Sequence, residues 1–85
     1  MDWFEQVSKE LNRLAAACPI PVSWGLEMDY KVTKLTVHER GPNRRAEPLV
    51  ILEASTYPPE EICQSFQRWT LLQLAARPDE VTGGL

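Results

Sequence analysis

Val22-Ser23-Trp24-Gly25-Leu26-Glu27-Met28-Asp29-Tyr30, resumed after Lys31 and Val32 as Thr33-Lys34-Leu35-Thr36-Val37-His38, is the stretch whose reading decides the fold. In its first half Val22, Trp24, Leu26, Met28 and Tyr30 alternate with Ser23, Gly25, Glu27 and Asp29, the two-residue repeat of a strand with one dry and one wet face. The second half repeats the pattern, with Thr33, Leu35 and Val37 against Lys34, Thr36 and His38. Folding back over a two-residue turn at Lys31-Val32 sets Met28 opposite Leu35, Leu26 opposite Val37 and Asp29 opposite Lys34. Apolar then meets apolar and acid meets base, the cross-strand pairing that stabilises a hairpin. Lys31-Val32 is poor chemistry for a tight hairpin, which favours Asn or Gly, so a longer or bulged turn is the alternative.

On the C-terminal side, Gly41-Pro42-Asn43-Arg44-Arg45 is a turn-forming stretch leading to a third strand. Pro48 holds the start of that strand to Leu49. Leu49-Val50-Ile51-Leu52 is apolar throughout, so alternation does not say which residues face the core. The central region thus reads as three antiparallel strands between Val22 and Ser55.

The flanks read as helices. Trp3, Phe4, Val7, Leu11, Leu14 and Cys18 recur every three or four residues behind Asp2, a plausible N-cap. Pro19 and Pro21 stop this helix at Ala17 or Cys18. Glu5 and Lys9 form an i, i+4 pair on its wet face. Thr56-Tyr57-Pro58-Pro59-Glu60-Glu61 reads as a second helix start, with Thr56 as capping hydroxyl, prolines in the first turn and acids near the positive end of the dipole. Ile62, Phe66, Trp69, Leu72 and Ala76 follow at helical spacing. The expected fold is α+β in the order α-β-β-β-α, a three-stranded antiparallel sheet with both helices on one face. Residues 1–78 form a single domain in this reading, and 79–85 a flexible tail.

Eighty-five residues at a formal charge of −3, 44% hydrophobic and 25% charged, are the composition of one small globular domain. The acidic balance argues against general attraction to nucleic acid or anionic membrane. No apolar run approaches the roughly 20 residues of a membrane span. Asp2 and Glu5 stand where a secretory signal would be basic and apolar, so a cytoplasmic location is expected. Cys18 and Cys63 sit among apolar neighbours and read as reduced, buried thiols.

Catalytic chemistry finds little to use. The single histidine, His38, falls on the wet face of a strand without a triad-like partner. One His with two distant Cys is not a zinc spacing. Glycine-rich phosphate loops are absent, because Gly25 and Gly41 are isolated and Gly83-Gly84 is terminal. No enzyme activity, metal or cofactor is expected.

The arginines Arg40, Arg44 and Arg45, with Asn43 between them, are the one local excess of positive charge, on a loop that could meet phosphate or an acidic partner. The element order is also that of the double-stranded RNA-binding domain, whose strand-connecting loop carries a Gly-Pro pair like Gly41-Pro42. The chain departs from that family at the second helix, where Pro58, Pro59, Glu60 and Glu61 stand in place of a lysine-rich phosphate clamp, and its Gly-Pro lies between a different pair of strands. Membership is not inferred.

The leading expectation is a small non-catalytic interaction or regulatory module that docks on a protein partner, or on its own copy, through the sheet. A homodimer is the simplest symmetric arrangement. Leu49, Ile51, His38, Thr36 and Lys34 are the candidate contacts. The alternative is nucleic-acid binding through Arg40, Asn43, Arg44 and Arg45. A small-molecule pocket lined by Trp24 and Trp69 is a third reading, set against the core role that tryptophans at such spacing usually have.

Overall fold

A computed structural model describes residues 2–29, 32–41 and 46–76. Its elements are α1 (Trp3–Ala17), β1 (Val22–Asp29), β2 (Val32–Glu39), β3 (Leu49–Leu52), a short 3-10 turn (Ala54–Thr56) and α2 (Pro59–Ala75). The strands form one antiparallel sheet in the order β1-β2-β3, and both helices cover the same face of it, the α+β arrangement expected from the sequence.

Asp2 caps α1 as expected: its Oδ1 accepts from the Glu5 amide at 2.8 Å. The stripe Val7, Leu11 and Leu14 is buried, and α1 ends before Pro19 and Pro21, which can supply no helical amide. α2 starts later than the sequence suggests. Thr56 lies in the 3-10 turn and its hydroxyl donates to the Glu53 carbonyl at 2.7 Å, so it does not cap α2. Pro58 holds the N-cap position and Pro59 the first helical one, where a missing amide proton costs nothing. Ile62, Phe66 and Trp69 are buried as expected, but Leu72 is exposed. At about 100° per residue, Leu72 lies roughly 120° around the helix from Phe66, outside the buried stripe.

The hairpin register differs from the expected one by two residues. Trp24 stands opposite Val37, Leu26 opposite Leu35, Glu27 opposite Lys34, Met28 opposite Thr33 and Asp29 opposite Val32. Val32 therefore belongs to the second strand, and the strands join across residues 30 and 31, which lie outside the described residues. A slip of two preserves parity, so the described side chains of the hairpin keep their expected sides of the sheet, but Met28, expected to be dry, is 73% exposed. Val22, Leu35 and Val37 go to the helices and, with Val7, Leu11, Leu14, Ile20, Ala54, Ile62, Phe66 and Trp69, make the core. Phe66 and Trp69 meet edge to face, 6.2 Å between ring centroids.

Each tryptophan indole also donates a hydrogen bond to another segment of the chain. The Trp3 indole on α1 donates to the Tyr57 carbonyl at 2.6 Å, Trp24 on β1 to Asn12 Oδ1 on α1 at 3.1 Å, and Trp69 on α2 to the Glu47 carbonyl at 2.9 Å. Trp24 and Trp69 thus act in packing and in bonds between segments. Glu39, which the sequence reading did not single out, is buried on the helix side and accepts from the Ala46 amide at 3.1 Å.

Candidate docking surface on the open face of the sheet

Because the helices share one face, the other face carries the remaining half of each strand. Ser23, Gly25, Glu27 and Asp29 come from β1, and Val32, Lys34, Thr36 and His38 from β2. On β3 the antiparallel register settles what the apolar run could not. Ile51 stands opposite Leu35 and Leu49 opposite Val37, so both share the face of those core residues and pack half-buried against the core. Val50 and Leu52 point outward instead. Of the expected contact residues, Lys34, Thr36 and His38 do lie on the open face. Leu49 and Ile51 do not, and Val50 and Leu52 take their place, because side chains opposite one another in an antiparallel pair share a face.

The grid has two characters. Val50 is 49% exposed, Leu52 62% and Val32 42%, leaving three apolar side chains in water around Thr36 and Lys34. Across β2 the surface turns acidic at Glu27 and Asp29. Lys34 Nζ lies 3.4 Å from Glu27 Oε2, an exposed cross-strand ion pair of about 0.2–1 kcal/mol at most. It replaces the expected pairing of Lys34 with Asp29. A shallow depression of ≈ 380 Å³ lies among Glu27, Asp29, Val32, Lys34 and Leu52. Val32 also borders a second hollow of ≈ 370 Å³ at the turn end, with Phe4 and Met28.

Among the described residues this surface offers apolar area, one screened ion pair and strand edges, and no buried base, acid or nucleophile. Among the described residues no group of three or more His, Cys, Asp or Glu could hold a metal ion. Nor is any described helix long and apolar enough to cross a membrane. The sequence reading missed Val32, Val50 and Leu52 as surface residues.

Elsewhere, Arg40 is exposed and its amide donates to the Pro21 carbonyl at 2.8 Å. Asn43, Arg44 and Arg45 lie outside the described residues, as does the expected tail, 79–85. Cys18 and Cys63 are free thiols, half-buried rather than fully buried. Burial pushes the Cys63 thiol above its ordinary range, the Glu10 carboxylate adds to that, and Arg13 opposes it. Arg13 is itself held by Glu10 at 2.6 Å. An apolar hollow of ≈ 410 Å³ separates the end of α1 from α2, between Leu14, Ala17, Cys18, Phe66, Leu71 and Leu74.

Compared with known proteins, the chain matches no family model, no curated protein and no solved structure.

Proposed function

We propose that this chain is a small cytoplasmic, non-catalytic interaction module that works by docking a protein partner, or its own copy, on the open face and edge of its sheet. The observation that carries the reading is the outward placement of Val32, Val50 and Leu52 on a sheet whose helices are both spent on the opposite face. Apolar side chains gathered in this way on a sheet face mark interaction sites more often than singly scattered ones do.

The test is the double variant Val50→Glu, Leu52→Glu. Both side chains are exposed, so the variant should stay folded, at a loss of about 1 kcal/mol or less per site. Association is then measured by light scattering for self-assembly, and by side-by-side capture of binding proteins on immobilised wild type and variant. Loss of an association that wild type shows supports the reading. Wild type and variant behaving alike in both assays contradicts it.

A further inference from the structure

We infer that Glu39 and Trp69 form a two-point latch on the chain entering β3, and that residues 46–52 open from the sheet as one unit, ahead of the rest of the fold, when that latch gives way. Its bearing on docking rests on the reading above.

The two outer strands are held very differently. β1 pairs with β2 along all eight of its residues, β3 along four. β2 buries Thr33, Leu35, Val37 and Glu39, whereas no residue of β3 is fully buried: Leu49 and Ile51 are half-buried, Val50 and Leu52 exposed. A short strand with little buried side chain, paired with β2 alone among the described strands, belongs to the part of a fold that opens first.

The ends of this unit differ as well. Behind it, Glu53 turns the chain in the left-handed conformation, and its carbonyl accepts both the Thr56 amide at 3.0 Å and the Thr56 hydroxyl at 2.7 Å. Ala54 is then 0% exposed. That end is a fixed pivot. In front of β3, residues 46–48 have no regular structure, and Pro48 has no amide proton to give a ladder. Two side chains from two other elements hold this stretch instead. Glu39, at the end of β2, accepts from the Ala46 amide at 3.1 Å, and Trp69, on α2, donates to the Glu47 carbonyl at 2.9 Å. Both are buried on the helix side, so consecutive residues of the lead-in are fastened from the sheet and from a helix at once. A hydrogen bond to an ionised carboxylate is stronger than one between neutral groups, which makes Glu39 the firmer of the two points.

The latch acts across the sheet. Val50 and Leu52 ride on β3, so its release takes two of the three apolar side chains off the open face and leaves Val32 behind on β2. A partner that needs all three in place binds the latched state alone, and its apparent affinity falls by the fraction that is latched.

The test is native-state hydrogen exchange on the full chain, read amide by amide by NMR. In wild type, the amides that pair β2 with β3 should be at least about tenfold less protected than those that pair β1 with β2. Equal protection of the two ladders overturns the inference. Glu39→Leu, which removes the acceptor, should speed exchange at Ala46 and in the β2–β3 ladder together, by about fivefold or more relative to the β1–β2 ladder. Glu39→Gln keeps an acceptor oxygen and should sit nearer wild type. Uniform acceleration through the whole chain, acceleration at Ala46 alone, or a Gln variant equal to the Leu variant overturns the latch. Trp69→Phe removes the indole donor and should give the same pattern, so the test survives if Glu39→Leu does not fold. None of these readouts needs a bound partner, so a failed docking assay leaves the latch standing, and a failed latch leaves docking standing.

Discussion

Two leucines seventeen positions apart, Leu35 and Leu52, should respond very differently to the same truncation. Leu35 is 0% exposed, packed between the helices and flanked in the sheet by Leu26 and Ile51. Leu35→Ala removes buried methyl groups and leaves a cavity, a loss of about 2–5 kcal/mol. A domain of 85 residues has a total stability of about 4–13 kcal/mol, so the variant gives up a large share of it. At about 4–8 °C per kcal/mol for this size, its melting temperature should fall by about 8–40 °C. Leu52 keeps 62% of its surface in water, so less than two-fifths of the roughly 1.5–3 kcal/mol of full burial is at stake, about 1 kcal/mol or less. The assay is urea unfolding followed by tryptophan fluorescence, because Trp69 is buried beside Phe66 and unfolding exposes it. Protein is held near 5 µM, where a weak dimer is dissociated and Leu52 is read in the single chain. Comparable losses for the two variants would refute the assignment of faces.

Three further expectations follow from the geometry. A double-mutant cycle between Glu27 and Lys34 should give a coupling of about 0.2–1 kcal/mol that falls with added salt, while Asp29 and Lys34 should show none; the reverse would restore the register expected from sequence. Glu53 holds the left-handed conformation at φ 52°, ψ 42°, so Glu53→Gly should be neutral or stabilise by up to about 1 kcal/mol in chemical denaturation, and a loss above 1 kcal/mol would contradict this. In a Cys18→Ser background, Cys63 should react with iodoacetamide more slowly than in the unfolded chain at mildly alkaline pH, with Glu10→Gln moving its profile to lower pH. Because its folded pKa is raised, the associated stability is complete below the unfolded thiol pKa and is lost as pH rises through the folded value; alkylation as fast as in the unfolded chain would count against it.

Periodicity carried most of the fold and little of the site. The two-residue repeat through Trp24, Leu26, Leu35 and Val37 fixed which side of the ribbon is dry, and that survived a register error of two because parity did. The partners themselves were illegible: Tyr30 and Lys31 are not the Asn-Gly type of turn that would have anchored the count. Leu49 to Leu52 shows the opposite failure, since with no polar member to mark the wet side only pairing with β2 could separate Val50 and Leu52 from Leu49 and Ile51. Thr56 looked like a cap because hydroxyl, prolines and acids stand together there. The backbone spends that hydroxyl on Glu53 inside a 3-10 turn before α2 begins. Leu72 was counted into the stripe by a spacing of three that drifts off the buried face after Trp69.

Sedimentation equilibrium on the unmodified chain, from about 10 µM to about 1 mM, tests most directly whether the sheet is a surface for association. The account predicts a mass rising from 9.7 kDa toward twice that value, with Val50→Glu, Leu52→Glu fixed at the single-chain mass throughout. A variant that dimerises as readily as wild type would contradict the open face as the surface of association, and a constant single-chain mass for wild type would contradict self-association.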